Sequence, residues 1–478
     1  MSFEDSVREA ISMLEGTWGL VILDSQNPNT LMVARHGSPI LLGLGQDEAF
    51  VGSEVSAFQK YTTKYISLNN NEVAVLKYNK DNISGKRIEM VLSDSLNNDR
   101  IKTAATEDIL ISPDPYPHWT IREINEQPYA ISAALNNGGR IINDHDVILG
   151  GLERNKERLL KIENLIVVGC GTSQHAGLFI SGIMRSMAGF NSVQVVDGSE
   201  FNTSFIENTK NVGILALSQS GETKDVMRCL EMVSNEEDIH TFSVVNKVGS
   251  QVARTTNCGV YLNAGREVAV ASTKAFTSQI TVLCLISIWY AQHRGLHYKK
   301  RVEMIENLRR LSVCYQAVLD SNTVNKQCDA VSNYLIDHNT CFILGKGLAS
   351  YIAYEGALKI KEIGYIHAEG YPGGSLKHGP FALIEKGTPI ILIVLNDADR
   401  SYMESTISEV KSRGAYTTVI TDIAGFKGGD INIHLPNNGV LSAMLAVIPL
   451  QLIAYKLSVA KGVNPDKPRN LAKTVTVI

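Results

Sequence analysis

Residues 165–173 read Leu-Ile-Val-Val-Gly-Cys-Gly-Thr-Ser. Four consecutive apolar residues, three of them β-branched, fit a strand of the buried type. Gly169-Cys170-Gly171 then turns the chain, and Thr172-Ser173 open a helix. The same order returns at residues 342–350, Phe-Ile-Leu-Gly-Lys-Gly-Leu-Ala-Ser. Strand-like runs at 212–217, 242–245 and 260–263 follow the first copy, with a long helix near 273–292. Runs at 389–395, 417–421 and 431–435 follow the second, with a helix near 440–459. The pattern predicts an α/β fold: tandem doubly wound parallel sheets over residues 155–298 and 330–465. Ligands bind such sheets beyond the carboxyl ends of the strands, where both glycine turns lie.

The earlier part of the chain is different. An amphipathic helix over 4–14 precedes short strand-like runs from residue 18 to about 92, separated by turn signals. Residues 93–118 are polar, carry three prolines and read as a linker; 119–137 reads as helical, so 93–154 is assigned to linker and helix. The net charge of −4 points to no nucleic-acid partner. The seven cysteines are scattered singly, with no metal-ligand spacing, which suits a reducing compartment. The acidic amphipathic N-terminus is unlike a signal peptide. Apolar runs such as 280–290 are too short and interrupted to span a bilayer. A cytoplasmic protein without metal, cofactor or membrane partner is expected.

Three stretches carry chemistry. Ser218-Gln219-Ser220-Gly221-Glu222-Thr223 ends a strand with hydroxyls, an amide and backbone N–H groups beside a helix start. That composition suits a phosphate monoester; an N-capping cluster is the plainer alternative. Thr172 and Ser173 repeat it at the first strand end. Gly169-x-Gly171 lacks the third glycine of a dinucleotide fingerprint. Glu355, Lys359 and Glu362 share one helix face. A bare triple of this kind is by default a surface ladder, but Ala357, Leu358, Ile360, Ile363 and Tyr365 crowd the rest of the helix, an apolar setting in which pKa values become tunable. Residues 370–374 read as a glycine loop that delivers His378 either to an active-site rim, as acid or base, or to a simple turn cap. Lys473, between Ala472 and Thr474 in a half-apolar tail, is either a surface lysine or an amine able to form an imine with a ketone.

These residues lie in motifs that resemble a known family. CGTS at 170–173, LSQSGET at 217–223, VASTKAFT at 270–277, EGALKIKEIGYIHAE at 355–369, LKHGP at 376–380 and PRNLAKTVTV at 468–477 resemble, in order, the two sugar-isomerase (SIS) domains of the glutamine–fructose-6-phosphate aminotransferases. The resemblance implies fructose 6-phosphate as substrate and glucosamine 6-phosphate as product. It implies that Thr172, Ser173, Ser218, Gln219, Ser220 and Thr223 hold the phosphate end of the sugar, and that Val270, Ser272 and Ala472 line the site. It implies that His378, lent by the neighbouring subunit of a homodimer, opens the sugar ring. Lys473 would form the imine at C2. Glu362 would move the proton between C1 and C2, supported by Lys359 and Glu355. Residues 466–478 would form a catalytic tail. Ser375 departs from the family, which commonly has Glu there.

Residues 1–92 resemble only the later half of the family's glutaminase domain, a partial αββα unit. That domain begins Met-Cys-Gly; this sequence begins Met-Ser-Phe, and its first cysteine is Cys170. The chain as written is expected not to hydrolyse glutamine, so a separate glutaminase chain is one expected partner. Two other readings stand beside an aminotransferase: an ammonia-dependent synthase or hexose-phosphate isomerase, and a non-catalytic sugar-phosphate sensor.

Overall fold

The computed structural model describes residues 2–473 apart from 54, 80–87, 93–99, 104–111, 208, 237 and 257. Two units are distinguished, 1–112 with 222–224 and 474–478, and 113–221 with 225–473, each with its own core.

In the N-terminal unit, α1 (Phe3–Ser12) is capped by the Ser2 hydroxyl, which accepts the Asp5 N–H at 3.1 Å. Strands β1 (Trp18–Leu23), β2 (Thr30–His36), β3 (Leu41–Leu44), β4 (Ala49–Gly52), β5 (Lys64–Ser67), β6 (Val73–Tyr78), β7 (Ile88–Leu92) and β8 (Lys102–Thr103) make two antiparallel sheets, ordered β1-β2-β6-β7 and β4-β3-β5-β8. Alternation along the strands separates the faces. Val33 joins Leu42, Ile66 and Leu76 in one core, while its neighbours Met32 and Ala34 join Val7 and Ile11 of α1 in another. The described residues thus give three layers, α, β and β. One boundary differs from expectation. β8 lies inside the stretch assigned to the linker, yet pairs with β5 through Lys64↔Thr103 and Tyr65↔Lys102. Its two exposed polar residues carry no strand pattern.

The second unit opens with α2 (Trp119–Asn125) and α3 (Gln127–Ala134). A single helix was expected over 119–137. Pro128, which has no N–H to donate, instead starts a new helix after Glu126. After the short helices α4 (Gly150–Glu153) and α5 (Lys156–Leu159) come β9 (Asn164–Gly169), α6 (Thr172–Met187), β10 (Ser192–Asp197), β11 (Val212–Ser218), α7 (Lys224–Met232), β12 (His240–Val245), α8 (Gln251–Thr256), β13 (Gly259–Tyr261) and α9 (Lys274–His293). Two helices, α10 (Tyr298–Leu319) and α11 (Asn322–Leu335), follow in the chain before the strands of the second repeat. The second repeat comprises β14 (Thr340–Gly345), α12 (Leu348–Gly364), β15 (His367–Pro372), β16 (Pro389–Val394), α13 (Arg400–Lys411), β17 (Tyr416–Thr421), β18 (Ile431–His434), α14 (Ser442–Leu445) and α15 (Val447–Ala460).

Both sheets are wholly parallel, ordered β10-β9-β11-β12-β13 and β15-β14-β16-β17-β18. The third strand of each, β11 and β16, is buried along its full length, as its apolar run requires. The order reverses between β9 and β11, and between β14 and β16, opening a crevice at each sheet's carboxyl edge. The glycine loop expected at 370–374 is in fact the end of edge strand β15, followed by a 3-10 turn, Gly373–His378. An edge position tolerates Pro372, which would break a central strand.

α9 and the stretch 439–460 are each long and apolar enough to cross a membrane by length and composition, contrary to the expectation drawn from interrupted runs. Both are buried inside the protein, α9 on nearly every face. α12 lies against α15 at close range: a Cβ on Gly356 would stand 2.6 Å from Leu450 Cδ1. That glycine lets the two axes approach.

Candidate active site

The β9–α6 turn depends on Gly171, whose φ of 52° and ψ of −122° suit a residue without Cβ. It aims the first N–H groups of α6 out of the sheet's carboxyl edge. Ser173 is fixed there, its hydroxyl accepting a 2.9 Å hydrogen bond from Gln279 Nε2 of α9. The pairing Ala216↔Val168 continues to put Ser218 level with Cys170 on the adjacent strand. Ser218 is buried, and its Oγ accepts the Gly221 N–H at 2.9 Å, closing the Ser-Gln-Ser-Gly turn. Gln219 and Ser220 are half-buried beside it. Thr223 groups with the N-terminal unit.

The ladder on α12 is a buried network. Lys359 is 1 % exposed and Glu355 0 %. Lys359 Nζ lies 2.6 Å from Glu362 Oε2, 3.3 Å from Glu355 Oε1 and 3.0 Å from Thr172 Oγ1. Thr172 Oγ1 donates to Glu355 Oε1 at 3.1 Å, and His175 Nδ1 lies 2.7 Å from Glu355 Oε2. Burial would lower the Lys359 pKa, but the Glu355 and Glu362 carboxylates outweigh it and raise it. Lys359 is therefore a fixed ammonium. Glu362, with 21 % of its side chain exposed, is the end of the ladder that a ligand can meet.

A second cluster forms where the tail comes down. Lys473 Nζ lies 2.6 Å from Glu267 Oε2, which also accepts the Ser272 hydroxyl at 2.6 Å. Glu267 Oε1 accepts the N–H groups of Thr273 and Ala275, at 2.9 and 3.1 Å, at the start of α9. Burial alone would raise Glu267, but Lys473 and these donors hold its carboxyl well below the ordinary range. Glu123 of α2 is fully buried, and its Oε1 accepts the N–H groups of Val268 and Ala269. Desolvation, then the charge of Glu267, push Glu123 up to about 8. Asp466 secures the tail. Its carboxylate accepts the N–H groups of Trp119 and Thr120 at 2.9 and 2.8 Å, and its carbonyl accepts the Val270 N–H at 3.1 Å.

The expected site residues thus fall into groups joined by α6 and α9. Thr172 meets Glu355 and Lys359 directly. Ser173 meets Gln279, one helical turn beyond the Ala275 N–H that holds Glu267. Ser272 and Lys473 share Glu267. Val270 is half-buried next to them, and Ala472 is exposed. His378 is exposed at the end of its turn, and among the described residues no hydrogen bond or ion pair joins it to the ladder. A cavity of about 340 Å³ lies beside the ladder, lined by Gly171, His175, Tyr354, Leu358, Glu369 and Tyr371. Its lining includes neither Ser218, Glu362 nor Lys473.

Glu267, His175, Gln279 and Glu123 were not foreseen. The contacts that join them to the expected site or to the tail, Glu267 to Lys473, His175 to Glu355, Gln279 to Ser173 and Glu123 to Val268, each span more than a hundred residues, so no local spacing marks them. His175, one turn into α6 from Thr172, left the only local trace.

The repeated fold and hydroxyl-rich strand ends define a class, the tandem SIS-domain proteins: the SIS domain model matches residues 158–288 and 334–461. The chain is 37 % identical to a glutamine–fructose-6-phosphate aminotransferase (isomerizing) of Caldanaerobacter subterraneus, over 99 % of this chain and 76 % of that one. It is 36 % identical to the Escherichia coli K12 protein of the same name, over 100 % and 77 %. Among solved structures, the C-terminal domain of glucosamine-fructose-6-phosphate aminotransferase from Francisella tularensis matches with a TM-score of 0.68 at 32 % identity, over 75 % of this chain and 99 % of that one. The chain belongs to the glutamine–fructose-6-phosphate aminotransferase (isomerizing) family. It spans about three quarters of the length of those relatives.

Proposed function

We propose that this protein converts fructose 6-phosphate and ammonia to glucosamine 6-phosphate and water, as an enzyme of isomerising aminotransferase type. Ser173, Ser218, Gln219, Ser220 and Thr223 hold the phosphate by hydroxyl, amide and backbone donors. His378, supplied by the neighbouring subunit of a cytoplasmic homodimer, opens the ring; its exposure in a single chain supports that role. The free amine of Lys473 attacks the C2 carbonyl and water leaves, forming an imine. Ammonia displaces the lysine at C2. Glu362 then takes a proton from C1 and returns it to C2, leaving an amine at C2 and an aldehyde at C1. Lys359, itself held by Glu355, keeps Glu362 in place. Val270, Ser272 and Ala472 line the sugar. Ammonia derives from glutamine, a separate glutaminase chain being the proposed source.

The observation that carries this reading is Lys359. A buried ammonium bound at once to Thr172 of the first SIS domain and to Glu355 and Glu362 of the second ties the sugar-binding turn to the proton-transfer ladder. Binding alone would need no such group. The test is incubation with fructose 6-phosphate and either ammonium or glutamine, assaying for glucosamine 6-phosphate. Product from ammonium is expected. Formation of glucose 6-phosphate alone, or tight binding without turnover, would overturn the proposal.

A further inference from the structure

Glu267 has no part in the chemistry above, yet it is among the most heavily hydrogen-bonded side chains of the unit. Its carboxylate is fully buried and accepts four hydrogen bonds: from Lys473, from Ser272, and from the Thr273 and Ala275 N–H groups. Two of these donors belong to the first turn of a 20-residue helix, whose dipole favours negative charge there. The anion is therefore secured before the tail arrives. Lys473 is the last residue of the described tail, and it ends on this buried carboxylate.

An ammonium held this way cannot attack a carbonyl, because its lone pair is bound to a proton. We propose that Glu267 is a positioning residue that docks Lys473 in a protonated, waiting form, and that imine formation begins by breaking this pair. Lys473 gives one proton to solvent, which reaches it through the 22 % of its side chain that is exposed. Its lone pair forms the bond to C2, the carbonyl oxygen takes up protons, and water leaves. Glu267 keeps its hydrogen bonds from Ser272 and the two backbone donors. The inference rests on the reading of Lys473 as the imine-forming residue.

Two experiments on the full chain test it. The first uses no substitution: brief labelling of amines with acetic anhydride, followed by peptide mapping. An ammonium in a partly buried ion pair should react at least about fivefold more slowly than exposed Lys467. Equal labelling would overturn the docking. The second is borohydride trapping of the fructose 6-phosphate adduct at Lys473, in the unsubstituted chain, in Glu267→Gln and in Glu267→Asp. Glu267→Gln should trap roughly tenfold more slowly, with the KM for fructose 6-phosphate changed less than about threefold, because the phosphate turns are untouched. Glu267→Asp, which restores the charge at shorter reach, should recover part of the rate. Trapping by Glu267→Gln at the unsubstituted rate would overturn the positioning role alone. Loss of kcat and KM together without recovery in Glu267→Asp would show a merely structural role. Absence of any adduct in the unsubstituted chain, despite amino-sugar formation, would instead overturn the reading of Lys473 and this inference with it.

Discussion

The two SIS domains share a backbone and differ in chemistry at the same place. Gly171 and Gly347 open equivalent helices with nearly the same dihedrals, φ 52° and ψ −122° against φ 57° and ψ −129°. Each follows the first strand of a sheet with the same strand order. In the first domain the crevice is edged by Thr172, Ser173, Ser218 and Ser220. In the second, the corresponding turns carry Lys346 and Asn396-Asp397-Ala398-Asp399, with Lys346 Nζ 3.3 Å from Asp399 Oδ1. Burial, with the charges of Asp399 and Asp422 adding to it, pushes the Asp397 carboxyl up. The second domain thus carries carboxylates and a lysine where the first carries hydroxyls. Duplicating a backbone has not duplicated a site: the second domain contributes a helix, α12, to its neighbour's turn instead.

Several substitutions would break or sharpen this contrast. The largest effect is expected at the bridge between the domains. Lys359→Met leaves Glu355 buried without its ammonium, which should cost about 3–5 kcal/mol of stability in urea unfolding and lower the amination rate at least about a hundredfold. A near-normal rate would show that the ladder is not part of the chemistry. The next test uses the paired glycines. Gly171→Ala and Gly347→Ala should each cost about 1 kcal/mol or more, since both need positive φ. Only Gly171→Ala should raise the KM for fructose 6-phosphate, by roughly tenfold. Equal effects on KM would erase the distinction between the two turns.

A pH dependence is expected on the first domain's side, at Glu123. The Glu123 carboxyl is raised from the ordinary range to about 8, so its contribution to stability is complete at low pH and fades as pH rises towards that value. Stability measured from pH 5 to 8 should decline by at most about 1.4 kcal/mol per pH unit from this group. Glu123→Gln should flatten the decline; an unchanged slope would assign it elsewhere. The smallest effect is expected at the second crevice. The Lys346–Asp399 pair is over a third exposed on both sides, so Lys346→Ala should change stability by less than about 1 kcal/mol and leave KM unchanged.

What could be read from the sequence was what repeats locally. The apolar runs ending in Gly-x-Gly at 169–171 and 345–347 gave both sheets, and the spacing of Glu355, Lys359 and Glu362 gave the ladder. Strand His367–Pro372 was hidden because an edge strand bears little apolar signal and here contains glycine and proline. β8 was hidden by its length of two residues. Glu267 and His175 were hidden for another reason. Each draws its role from a partner that only tertiary folding supplies, Lys473 and Glu355 respectively.

The carboxylate of Asp466 meets the amides of Trp119 and Thr120 across 347 and 346 residues of chain. A ribosome making this protein finishes α2 long before it makes the residue that completes its N-terminal turn. Until Asp466 has been made, those two amides of the helix bearing Glu123 lack this acceptor, and Lys473, seven residues further on, has yet to reach Glu267. Closing the first turn of α2 and docking Lys473 are thereby tied to one and the same late-made segment.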